Sequence, residues 1–202
     1  MPDQQLLTLP RKSLVALCGP AGSGKSTFAA SVVRNNGLAG TAVVSSDACR
    51  LALCDELASV QAAQSMELNS RTFELFATVI AMRMGLGRPV IADTVNLWPR
   101  ELLPTAHRGA LLELARKHGY RSALIVFDVP TDTCIARTAG RAGPAIPEDL
   151  VRFQRATLDA ALPGLPGEGW DHLVVSDDLG EAVTIDIAPA LGMPRVPTPA
   201  RR

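Results

Sequence analysis

The run Gly19-Pro20-Ala21-Gly22-Ser23-Gly24-Lys25-Ser26-Thr27 fits the spacing G-x-x-x-x-G-K-[ST]. Backbone N–H groups of such a loop turn inward around phosphate oxygens, at the positive end of the helix that follows. Glycine is needed where a Cβ would block the approach of backbone to phosphate. Gly19, Ala21, Gly22, Ser23, Gly24, Lys25, Ser26 and Thr27 therefore make up the candidate nucleotide-binding set. In that set Lys25 reaches the β- and γ-phosphates, and the Ser26 hydroxyl binds Mg²⁺. The expected ligand is ATP or another NTP.

Moving a phosphoryl group asks for positioning and charge stabilisation, and a kinase also needs a group that deprotonates an acceptor hydroxyl. Asp47 is a candidate base: a carboxylate just beyond an apolar run, with Arg50 three residues on. If a helix starts there, Asp47 can equally be its N-cap, with Arg50 on the same face. Asp93 closes the run Val90-Ile91-Ala92 and is placed to bind Mg²⁺ or hold the acceptor; the alternative is a turn residue. Arg137 and Arg141 are four residues apart, a spacing that shares a helix face. They can close over the nucleotide as a lid, or form a solvated helix face. The catalytic candidates are thus Lys25, Asp47, Arg50, Asp93, Arg137 and Arg141, and the metal candidates Ser26 and Asp93.

These residues need a frame. Five β-type runs, at 14–18, 42–45, 89–93, 122–128 and 172–176, alternate with Ala/Leu-rich helical stretches. The stretches are Lys25–Asn35, 62–84, 99–118, 131–138 and 148–161, with a weaker one after Gly180. Alternation of this kind predicts βαβ units with right-handed crossovers. The expected fold is a three-layer α/β/α P-loop NTPase with a parallel sheet of about five strands and a helical lid. Ligands of open α/β sheets bind beyond the carboxyl ends of the strands. There the first three runs end in the phosphate loop, Ser45-Ser46-Asp47 and Asp93-Thr94.

The 202 residues suit one domain, expected over 1–191, followed by a flexible tail, 192–202, holding three prolines and three arginines. Hydrophobic residues make up 47% and aromatics 4%, so the core must be aliphatic. Twenty Lys+Arg balance twenty Asp+Glu, which argues against coating long nucleic acid but not against holding one end of a strand. Cys18, Cys49, Cys54 and Cys134 show no C-x-x-C or zinc spacing, and buried thiols are expected. No signal peptide is visible and no apolar run approaches the ~20 residues of a membrane span, so a cytoplasmic protein without a membrane partner is expected.

In order and spacing, the motifs resemble the 5′-hydroxyl polynucleotide kinase branch of P-loop phosphotransferases, found in phage and bacterial end-repair systems. The resemblance runs from about Ser13 to Ala161. It comprises the loop at 19–27, Ser45-Ser46-Asp47-Ala48-Cys49-Arg50, Asp93-Thr94-Val95-Asn96, Phe127-Asp128-Val129-Pro130 and Arg137-Thr138-Ala139-Gly140-Arg141. It implies ATP and Mg²⁺ as cofactors, Asp47 as base on a 5′-OH end of RNA or DNA, and Arg50 on acceptor phosphate. It also implies Asp93 on acceptor and metal, and a lid formed by Arg137 and Arg141. Ala142-Gly143-Pro144-Ala145 lacks the extra basic residues that would grip a strand. Related proteins with the same Asp-x-x-Arg layout phosphorylate sugars, antibiotics or other small hydroxyl compounds. A small-molecule kinase is therefore the alternative, and an ATP-binding switch without a small acceptor is a third reading.

Overall fold

The computed structural model describes residues 5–54, 66–97, 107–140, 146–177 and 183–189. The described residues form seven strands: β1 (Gln5–Leu9), β2 (Ser13–Cys18), β3 (Val43–Ser45), β4 (Val90–Asp93), β5 (Arg121–Phe127), β6 (His172–Ser176) and β7 (Val183–Ile187). The helices are α1 (Lys25–Asn35), α2 (Ser46–Leu51), α3 (Met66–Gly85), α4 (Arg108–Lys117), α5 (Thr131–Ala139) and α6 (Glu148–Ala161).

Five strands build one parallel sheet in the order β3-β4-β2-β5-β6, the sheet the alternating runs predict. Every residue of β2 is buried, because helices cover both faces of the sheet. Side chains alternate across it. Leu14, Ala16 and Cys18 join Phe73, Phe76, Ile80 and Met84 of α3 and Leu111 and Ala115 of α4 in one core. Val15 and Leu17 face the other way, onto Phe28, Ala29 and Val32 of α1 and Cys134 of α5. The helix-period spacing of those α3 residues puts one stripe against the sheet. This is a three-layer α/β/α arrangement with two aliphatic cores.

Two segments differ from the sequence expectation. The stretch after Gly180 forms β7 rather than a helix, and residues near the N-terminus form a further strand, β1. The two pair in parallel, Leu7 opposite Ile185 and Leu9 opposite Ile187, as a ribbon separate from the main sheet. Period two explains both. Val183, Ile185 and Ile187 alternate with Thr184 and Asp186, and Leu7 and Leu9 are buried while Leu6 is exposed. The inward leucines and isoleucines pack on the α1 side. Asn36 ties the ribbon down, donating to Ile185 O and accepting from the Ile187 N–H.

Elsewhere the boundaries shift. Of the long helix expected over 62–84, residues 66–85 are helical, and of 99–118 residues 108–117, the earlier parts lying outside the described residues. The expected tail, 192–202, also lies outside them. Among the described residues no helix is long and apolar enough to cross a membrane.

Candidate active site

Strand β2 lies between β4 and β5; α1, which follows β2, covers one face of the sheet and α4, which follows β4, covers the other, so the topological switch point lies at the carboxyl ends of β2 and β4. The loop at 19–24 emerges there and runs into α1. Gly24 caps that helix at φ 96, a left-handed conformation that favours glycine. Gly22, at φ 79, is close-packed: a Cβ there would stand 2.3 Å from the Cys134 carbonyl oxygen of α5. The first turn of α1 begins with Lys25, followed by the exposed Ser26 and Thr27.

Lys25 is 8% exposed, and its ammonium donates to Gly19 O (2.9 Å), Pro20 O (2.6 Å) and Ser23 Oγ (3.3 Å). Burial lowers its pKa from the ordinary lysine value, and the Asp93 carboxylate is the strongest charge opposing that shift, with Asp47 a weaker one. Lys25 therefore sits in the field of both carboxylates. Asp93 is itself 8% exposed, and Ser45 pairs with it in register, which brings the ends of β3 and β4 side by side. The Asp93 carboxylate and Ser26 hydroxyl are hard oxygen donors, the type that suits Mg²⁺. These two would hold the ion, which would supply neutralisation of the charge that develops on the phosphates.

Asp47 does not cap α2. Ser45 does: its Oγ accepts from the Asp47 and Ala48 N–H groups at 3.2 and 3.5 Å. Asp47 lies in the first turn, its side chain 65% exposed and 3.5 Å from Arg50 Nη1. The Arg50 guanidinium is only 16% exposed and also donates to Asn69 Oδ1 of α3 at 2.9 Å. Arg137, on the exposed face of α5, brings Nη1 to 4.0 Å from where a Gly24 Cβ would stand, so it overhangs the phosphate loop. Arg141 lies outside the described residues. Ala21 does join the loop, but its N–H donates to Gln154 Oε1 of α6 at 2.8 Å.

A family model described as "AAA domain" matches residues 14–164, three quarters of the chain and the whole of this site. This chain belongs to the AAA domain family. Among curated proteins none matches it. Two solved structures are similar to this AAA domain. A sugar kinase from Janibacter sp. HTCC2649, unliganded, is 18% identical with a TM-score of 0.51, covering 87% of this chain and 85% of that one. A gluconokinase from Sinorhizobium meliloti 1021 is 17% identical with a TM-score of 0.52, covering 92% and 86%. At that identity the likeness shows the fold, a P-loop nucleotide-kinase-like α/β domain. A P-loop domain of this family implies nucleotide binding.

Four polar residues of this AAA domain's site had no role assigned from sequence. Asn96 is 2% exposed at φ 51 and donates to Leu17 O, while the neighbouring Val95 carbonyl accepts from the Gly19 N–H. The segment after β4 is thus stitched to the entry of the phosphate loop. Arg108 adds a bond to Asn96 O at 2.7 Å and is held by Glu168 in a close ion pair. Asn69 and Gln154 are the other two. Each occupies an inward position in an amphipathic stripe, Asn69 one turn before Phe73 and Gln154 between Val151 and Leu158. A polar residue at an apolar position was the available signal. Of the remaining candidates, Cys18 is fully buried with its thiol pushed up to about 11 by burial. Trp170 packs against the core, its indole N–H donating to Glu168.

Proposed function

We propose that this protein is an ATP-dependent kinase that transfers the γ-phosphate to a hydroxyl of a small molecule. The observation that carries the reading is the pair of carboxylates at the carboxyl ends of the two strands that flank β2 on one side of the sheet: Asp93 buried at the end of β4, and Asp47 exposed at the start of α2, just beyond β3. A nucleotide switch has no need of the second. Its exposure leaves Asp47 accessible to a substrate, and its cap position is taken by Ser45.

In this reading the loop amides and Lys25 hold the phosphates, with Ser26 and Asp93 on Mg²⁺. The acceptor oxygen attacks the γ-phosphorus as the bond to the β-phosphate bridging oxygen breaks, and the hydroxyl proton passes to Asp47. Arg50, fixed by Asp47 and Asn69, orients the acceptor, and Arg137 with Arg141 offsets charge developing on the transferred group. The small acceptor is supported by the structural neighbours, a sugar kinase and a gluconokinase. The order of the Asp-x-x-Arg, Asp-Thr-x-Asn and Arg-x-x-x-Arg motifs favours a second reading, a 5′-OH polynucleotide acceptor.

The test is transfer of γ-labelled phosphate from ATP with Mg²⁺ to a panel of sugars, sugar acids and other small alcohols, beside 5′-OH RNA and DNA oligonucleotides. Label on a small acceptor, lost in Lys25→Ala, is the expected result. Label on oligonucleotides alone would replace this reading with the second.

A further inference from the structure

We propose that Gln154 of α6 is a positioning residue for Lys25, acting through the Pro20–Ala21 peptide. This inference rests on the reading of the loop as a nucleotide site. A peptide unit is planar, so its carbonyl and its N–H turn together. Both ends of this unit are engaged. The Pro20 oxygen accepts from the Ser23 N–H at 3.2 Å and from Lys25 Nζ at 2.6 Å. The Ala21 N–H donates to Gln154 Oε1 at 2.8 Å, across 133 positions of sequence. Gln154 is 5% exposed, in the stripe Val151-Gln154-Leu158 that packs α6 down.

Burying an amide in that stripe is costly unless it is hydrogen-bonded, and the partner here is the phosphate loop itself. The side chain therefore fixes one edge of a plane whose other edge holds the catalytic ammonium. Without the acceptor at 154, the Ala21 N–H loses its partner and the plane is free to turn. The Pro20 oxygen then turns with it, and Lys25 loses its resting geometry. The adjoining amides of Gly22 to Thr27, which would line the phosphates, share that backbone. Arg155, next in α6, bonds Asp128 and the Val129 carbonyl at the end of β5, so the helix that carries Gln154 is anchored beside it.

The experiment compares wild type, Gln154→Met, Leu158→Ala and Lys25→Ala as full chains. Methionine keeps length and apolar fit but removes the acceptor, whereas Leu158→Ala loosens the same helix one turn on and keeps it. MgATP affinity is read by titration, the Ala21 amide proton by ¹⁵N–¹H NMR, and Tm by thermal melting. The expected result is a Kd for MgATP raised about fivefold or more in Gln154→Met, with the Ala21 amide proton moved upfield. Leu158→Ala lowers Tm more but holds Kd within about twofold. Equal affinity losses in both variants, tracking Tm, would make Gln154 merely structural and overturn the proposal. So would an unchanged Kd in Gln154→Met. If wild type binds no MgATP, the nucleotide reading itself fails; the amide shift then reports separately whether the Gln154 bond exists.

Discussion

The phosphate loop uses its glycines in two different ways. At Gly24 there is room for a side chain, with the nearest group, Arg137 Nη1, at 4.0 Å; the constraint is φ 96 alone. At Gly22 the backbone of α5 stands in the way. Gly24→Ala is expected to cost roughly 1–2 kcal/mol of backbone strain. Gly22→Ala carries the same strain plus a contact that only movement of α5 relieves, so its Tm should fall further and MgATP binding should be lost. Melting curves and ATP titration of the two variants check this, and equal losses would place the constraint in φ alone. The motif spacing announces that glycines are needed. It does not say which one meets a helix, because that depends on where α5 lies in the folded chain. The same distance in sequence hid Gln154, Asn69 and Arg108, whose partners come from other elements.

Among the elements, the five sheet strands were legible because each is a short apolar run buried on both faces, and the phosphate loop fixed which run came first. The β1–β7 ribbon was not. Its strands alternate inward and outward residues too briefly to stand out, and pairing between the two chain ends is invisible to a local pattern. The switch of N-cap from Asp47 to Ser45 is a two-residue boundary shift that takes the Asp47 carboxylate out of helix capping. At the opposite end of the sheet, Asp171 joins β5 to β6. Its carboxylate accepts from the Ser122 N–H and Oγ and from Arg121. Burial raises its pKa, but these bonds outweigh that and leave it below 3.8. A carboxylate with a lowered folded pKa adds stability above its unfolded value, and loses it as pH falls from there through the folded value. Asp171→Ala should therefore destabilise by about 1–3 kcal/mol at neutral pH, because Ser122 is buried and would lose its acceptor. Urea titrations from neutral pH to below 3.8 should show the gap to wild type closing toward the acid end. A gap independent of pH would assign the loss to packing.

For the whole molecule, strand order converts scattered sequence motifs into one site. Placing β2 between β4 and β5 sets the phosphate loop beside Asp93, and placing β3 next to β4 brings in Asp47 and Arg50. The nucleotide side of the site was readable from a continuous motif. The acceptor side was readable only as candidates, since its residues come from α2, α3 and β4, and their partners appear with the fold. Arg50 is largely buried, its guanidinium held between Asp47 and Asn69. In the proposed mechanism Asp47 takes a proton from a hydroxyl. The most direct test is Asp47→Asn, read by MgATP affinity and by γ-phosphate transfer to the acceptor found in the panel. The base role of Asp47 predicts a Kd within about twofold of wild type and transfer slowed by roughly a hundredfold or more. Transfer within a few fold of wild type would contradict it.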